Sequence, residues 1–276
     1  MKASSEGSFK DYQALLHGKR ALVVDDDDVN RHILSDLLAS AEIQTISARD
    51  GLEALCALES DRHIDIVLMD IHMPRMDGYE ATKRIRAQVD LFQPRIIALT
   101  GFVTPEGMQR CLECGMDDFQ AKPFTPDELF MKIAKALRLA LPGSGATTRS
   151  PSGDSPAKPD FDPGVLQDLL ENDAVELRQV AGKFVSAAEV SIEGMRAAIA
   201  AGAVDALRDL SHKHKSSAAM MGAHRFSAVC AEMEKRCRAG QIEGCDALIE
   251  ELPAQLQLIR QAFLDGDPAP PSPVKP

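Results

Sequence analysis

Apolar positions follow two regimes along this 276-residue chain. Between residues 18 and 140, short unbroken apolar runs alternate with stretches in which apolar residues recur every three or four positions. Short runs bounded by turn residues predict buried strands, and the longer periodic stretches predict helices. The strands are expected at Arg20–Asp25, Ile43–Ser47, Asp65–Asp70, Arg95–Thr100 and Asp118–Ala121. Strands and helices in strict alternation predict an α/β doubly wound five-stranded parallel sheet covered on both faces. Between residues 161 and 264 the strand pattern disappears. Helices are expected at Asp173–Ala201, Val204–Met220, His224–Ala239 and Asp246–Phe263, with Pro163 at a helix start and Gly202, Gly222 and Gly240 as breaks. This predicts an all-α antiparallel helical bundle. Residues 141–160, with Pro142-Gly143-Ser144-Gly145 near their start, are expected to form a flexible Pro/Gly/Ser linker. The Pro-rich residues 265–276 are expected to be a disordered tail.

Composition narrows the function classes. With 42 acidic against 31 basic residues and a net charge of −11, the chain is ill suited to a broad nucleic-acid surface. No apolar stretch approaches the ~20 residues of a membrane span, and the N-terminus lacks a secretory apolar core. A cytoplasmic location is expected. The six cysteines are scattered, as in reduced thiol proteins. Cys111 and Cys114 form a lone C-x2-C pair in an expected helix and read as buried side chains rather than zinc ligands.

The chemistry gathers at strand ends. The third apolar run, Ile66-Val67-Leu68-Met69, ends in Asp70 and is followed at once by a turn containing Pro74 and Gly78. The first run ends in Asp25-Asp26-Asp27-Asp28, the fourth in Thr100-Gly101 and the fifth region in Lys122-Pro123-Phe124. In a doubly wound sheet these ends converge on one rim. Clustered carboxylates repel one another unless a cation neutralises them, and their oxygens suit Mg²⁺. Phosphoryl transfer needs such a metal together with donors for the phosphoryl oxygens, which the Thr100 hydroxyl and Lys122 ammonium supply. Asp70 is then the nucleophile that forms an aspartyl phosphate. Asp27, Asp28 and Asp77 read instead as helix caps and first-turn residues.

The runs Val23-Val24-Asp25-Asp26, Met69-Asp70-Ile71-His72-Met73-Pro74-Arg75-Met76-Asp77-Gly78, Ala98-Leu99-Thr100 and Lys122-Pro123-Phe124 resemble the receiver domain of two-component response regulators. The resemblance covers residues 18–140. It implies a flavodoxin-like fold, phosphorylation at Asp70, and Mg²⁺ held directly by Asp26, largely through water by Asp25, and by Asp70 and the backbone carbonyl of His72. It further implies that Thr100 and Lys122 bind the phosphoryl oxygens and that Phe119 is the switch aromatic. Gly101 stands where the family usually has alanine or a larger residue, which should open the phosphoryl group to a partner or to water.

In the helical region, His212, Lys215 and Ser216 share one helix face at i, i+3 and i+4. Leu207, Leu210, His214, Ser217 and Met221 form the inward stripe, so His214 is expected to pack in the core and His212 to point away from it. This stretch resembles a histidine-containing phosphotransfer (HPt) domain, usual pattern His-x-x-Lys-Gly-Ser, over residues 161–264. It implies His212 as a phosphohistidine supported by Lys215 and Ser216. Ser216 replaces the usual glycine, and His214 a usual core leucine.

Together the two resemblances imply a phosphorelay protein. Asp70 would accept a phosphoryl group from a sensor histidine kinase, and His212 would exchange one with an aspartate of a downstream response regulator or relay partner. A receiver–HPt contact within the chain is a further expectation. No ATP-dependent kinase region is visible, so an enzymatic role would be limited to the receiver catalysing its own Mg²⁺-dependent phosphorylation and dephosphorylation. The competing readings are a non-relaying scaffold and a phosphate sink that drains a sensor kinase.

Overall fold

The computed structural model describes residues 9–88, 93–101, 105–139 and 159–265. The chain divides into two compact units, Met1–Lys158 and Pro159–Pro276. The expected linker falls almost wholly outside the described residues, as does the tail from 266 onward.

The first unit carries five strands, β1 (Arg20–Val24), β2 (Gln44–Ala48), β3 (Ile66–Asp70), β4 (Arg95–Thr100) and β5 (Asp118–Ala121). They form one parallel sheet in the order β2-β1-β3-β4-β5. Every residue of β3 is buried, and all of β1 and β4 but the first residue of each. That is the signature of a sheet covered on both faces, and it explains why these strands are apolar runs rather than alternating patterns. The helices are α1 (Phe9–Leu16), α2 (Asp28–Ser40), α3 (Gly51–Ser60), α4 (Gly78–Ala87), α5 (Pro105–Glu113) and α6 (Pro126–Ala136). The chain reverses its winding between β1 and β3, and at such a switch point the carboxyl ends of the strands splay into a crevice.

Side-chain caps fix where the helices begin. The Asp27 carboxylate accepts from Val29 N and Asn30 N at the start of α2, and Asp77 accepts from Glu80 N at the start of α4. Thr125 and Glu128 form a reciprocal capping box on α6.

Two features of this unit depart from expectation. The strand limits move by one residue in β1, β2 and β3. Helix α1 also precedes the expected start at residue 18 and packs on α6, with Tyr12 and Leu16 buried.

The second unit is helical throughout: α7 (Gly164–Leu169), α8 (Ala174–Ala201), α9 (Val204–Met220), α10 (His224–Arg238), α11 (Cys245–Ile249) and α12 (Leu252–Phe263). Phe184 on α8 meets Phe226 on α10 and His214 on α9 edge to face. The turn between α9 and α10 is pinned from outside, because Asp162 N donates to Gly222 O and Arg225 N donates to Asp160 O. Gly222 is needed there: its φ is +74°, and a Cβ would lie within bonding distance of the Asp162 carbonyl oxygen. The helix expected over Asp246–Phe263 is two helices. The apolar spacing runs across the break, but Pro253 lacks an amide hydrogen and favours a new first turn, which becomes the start of α12.

Candidate functional site

Each side chain of the strand-end site is placed by the residue where its strand stops. Asp25 follows the last residue of β1 and its amide donates to Ala48 O of β2 at 3.2 Å. Asp70 is the last residue of β3 and sits opposite Leu99 of β4. Thr100 ends β4, and its carbonyl accepts from Lys122 N at 2.7 Å, which draws the end of β5 toward the same crevice. Asp25, Asp70, Thr100 and Lys122 are all buried, with Asp26 half-buried beside them.

The Lys122 ammonium joins the two acids. Its Nζ donates to Asp25 Oδ2 at 2.5 Å and to Asp70 Oδ1 at 3.0 Å. Asp70 Oδ2 accepts from His72 N at 3.0 Å, while the His72 ring side of the turn is exposed. Asp25 Oδ1 accepts from Asp27 N at 3.0 Å and from the Asn30 side chain at 3.2 Å. Arg31 donates to the Asp25 carbonyl at 2.5 Å, tying α2 to the acid-bearing loop.

One ammonium does not neutralise this cluster. Burial pushes the Asp25 carboxyl up to about 7 even against the Lys122 charge, and Asp70 and Asp27 add to that push. Burial would by itself lower Lys122, but the two carboxylates overturn it and hold the ammonium above its ordinary range. A hard dication with oxygen preference is the species this excess negative charge would accept.

The turn after Asp70 requires a glycine. Gly78 N donates to Ile71 O at 2.9 Å, and a Cβ on Gly78 would lie without clearance against the Asp70 carbonyl oxygen. Phe119 is half-buried against the sheet core, with Lys132 Nζ 5.0 Å from its ring centroid. Gly101 is exposed beside the crevice.

The second unit holds a separate constellation on α9 and α10. His212 is half-buried, and its Nδ1 lies 2.8 Å from Glu234 Oε1. Lys215 Nζ donates to Glu234 Oε2 at 2.6 Å, and Arg238 donates to Oε1 at 2.5 Å. Burial opposes charge on Glu234, yet the hydrogen bonds from His212 and Lys215 together with the Lys215 charge hold its carboxyl down to about 2. Ser216 is half-buried on the same face. His214 is buried, with Nε2 2.7 Å from Ser191 Oγ. Glu234 was not singled out from sequence. It lies 22 residues from His212 on another helix, and only a register between α9 and α10 could have pointed to it.

Comparison with known proteins supplies the class. Residues 21–134 match the response regulator receiver domain and residues 179–262 match the Hpt domain. The chain is a receiver domain joined to an Hpt domain, the pairing used in phosphorelay signalling by two-component systems. It is 51% identical over 106 residues to the sensor histidine kinase RcsC of Escherichia coli (strain K12), covering 38% of this chain and 11% of that kinase. It is 31% identical over 141 residues to Histidine kinase 3 of Arabidopsis thaliana, covering 44% of this chain and 14% of that one. The chain therefore spans only a small fraction of these relatives' length. Among solved structures, the receiver domain of a sensor histidine kinase from Pseudomonas aeruginosa PAO1, with a magnesium ion in its active-site cleft, is 36% identical. It covers 44% of this chain and 98% of that one, with a TM-score of 0.41. No described helix is long and apolar enough to cross a membrane.

Proposed function

We propose that this chain is a phosphorelay intermediate acting in the cytoplasm, with Asp70 and His212 as its two phosphoryl carriers. The observation that carries the reading is the buried Asp25–Lys122–Asp70 cluster at the strand ends. A carboxylate oxygen of Asp70 attacks the phosphorus of a phosphohistidine on a sensor histidine kinase. The P–O bond forms as the N–P bond breaks, and the electron pair leaves with the donor imidazole. Lys122 places a positive charge against Asp70, and the Thr100 hydroxyl supplies a donor to the transferred group. Mg²⁺ fits the donor set of Asp25, Asp26, Asp70 and the His72 carbonyl, where it would neutralise the phosphoryl oxygens. Phe119 is the ring that would move when Thr100 is drawn toward a phosphoryl group. His212 exchanges phosphoryl groups with the aspartate of a receiver, helped by Lys215 and by the small Ser216.

Acetyl phosphate with Mg²⁺ should label the wild-type protein and leave Asp70→Asn unlabelled at this unit. Equal labelling of the two would reject the assignment. The exposed Gly101 favours a second reading, a phosphate sink, in which water reaches the aspartyl phosphate easily. The half-life of the Asp70 phosphate with and without Gly101→Ala separates the two. A lifetime of seconds that the alanine lengthens supports a sink, and a long lifetime that it leaves unchanged supports a relay.

A further inference from the structure

Asn30 stands where the pattern of α2 calls for an apolar side chain. It falls in line with Ile33, Leu34, Leu37 and Leu38 on the buried face of the helix, and only 2% of it is exposed. Its two polar ends are treated unequally. The amide nitrogen donates to Asp25 Oδ1 at 3.2 Å, whereas the amide oxygen, also buried, accepts from none of the described residues. Resting on the reading of the strand-end cluster as a Mg²⁺ site, we propose that Asn30 is an outer residue of that site. Its nitrogen fixes Asp25, and its oxygen is reserved for a hydrogen carried by a water of the bound dication.

The neighbour sets the orientation of the amide. A carboxylate oxygen accepts and does not donate, so the amide turns its nitrogen toward Asp25 and its oxygen becomes the end without a donor. The donors beside it are committed elsewhere. Lys122 Nζ serves Asp25 Oδ2 and Asp70 Oδ1, and Asp27 N serves Asp25 Oδ1. The Arg31 guanidinium serves the Asp25 carbonyl and pairs with Asp28. A buried acceptor left in this state destabilises the chain, and an apolar side chain at the same position would avoid the loss. A local conflict of this kind beside a cluster of acids marks function rather than packing.

The chemistry of Mg²⁺ supplies the missing donor. The ion gives up its hydration reluctantly and keeps several waters when carboxylates hold it. Each retained water brings hydrogens that need acceptors, and Asn30 Oδ1 offers one without adding charge to the crowded acids. Groups that hydrogen-bond a metal's ligands from behind tune its affinity, and Asn30 does this to Asp25 through its nitrogen. Its hydrogen bond goes to Asp25 and not to Asp70, so Asn30 is a positioning residue.

The test is a Mg²⁺ titration of the full chain. It is read by calorimetry and by the metal concentration that half-saturates Asp70 labelling with acetyl phosphate. Asn30→Leu, which keeps the size and removes both polar ends, should raise the dissociation constant by about 10- to 100-fold and move the half-saturating concentration with it. An unchanged dissociation constant, with or without a lower labelling plateau, would give Asn30 a structural role and overturn the inference. Absence of Mg²⁺ binding from the wild-type chain, judged against Asp26→Ala, would instead remove the reading on which it rests, and the inference with it. If Asn30→Leu does not fold, the ¹³C signal of the Asn30 side-chain carbonyl in the wild-type protein decides. A downfield move on adding Mg²⁺ marks a gained hydrogen bond and supports the inference, and a signal that stays in place overturns it.

Discussion

Lys122 and Glu234 play mirrored parts at the scale of single residues: a buried cation between two acids, and a buried acid among three donors. Removing one member of a buried pair strands the others, at roughly 3–5 kcal/mol. Lys122→Ala should therefore lower the unfolding free energy of the metal-free first unit by about that much in denaturant melts, and Asp70 labelling should fall with it. Glu234 makes a pH-dependent contribution. An unfolded chain binds a proton at Glu234 near pH 4.5, whereas the folded chain holds out to about 2. The stabilisation is therefore present above pH 4.5 and is lost as acid is added between 4.5 and 2. The melting midpoint of the second unit should fall as pH drops through that window, and Glu234→Gln should flatten that pH dependence. That Asp25, Asp70, Thr100 and Lys122 gather at one place was legible in the sequence because each ends a strand or directly follows one, and strand ends in this topology meet. Glu234 was not, because its partners lie on a different helix and no spacing along the chain joins them.

At the scale of elements, close approach decides more than composition does. The start of α4 lies against the Asp70 carbonyl with no room for a methyl group. Gly78→Ala should cost about 1–3 kcal/mol by overpacking and should reduce Asp70 labelling, because it displaces the turn that supplies His72 N. Helix α1 was overlooked for a different reason. It is only eight residues long and stands apart from the alternating pattern. Its buried Leu16 argues that it belongs to the first unit, and Leu16→Ala should destabilise that unit by roughly 2–5 kcal/mol. An unchanged melting midpoint would show α1 to be dispensable. The division between α11 and α12 was hidden because the apolar stripe crosses it; Pro253 was the sequence signal that outweighed the stripe.

At the scale of the whole molecule, the two proposed phosphoryl carriers, Asp70 and His212, raise the matter of how they would communicate. If Asp70 and His212 exchange within a chain, the rate at which label moves between them should not change on dilution of the protein. A rate proportional to concentration would place the exchange between molecules. The match to the Hpt domain begins at residue 179, inside α8, yet Asp160 and Asp162 pin the turn between α9 and α10. We therefore place the start of the folded second unit near residue 159. The central claim is that the chain carries phosphate at two chemically different residues. Its most direct test is to charge wild-type protein, Asp70→Asn and His212→Gln with phosphoramidate and Mg²⁺, then challenge each with acid and with base. The account predicts that Asp70→Asn loses the base-labile acyl phosphate alone and that His212→Gln loses the acid-labile phosphoramidate bond alone. Retention of the wild-type pattern in either variant would contradict it.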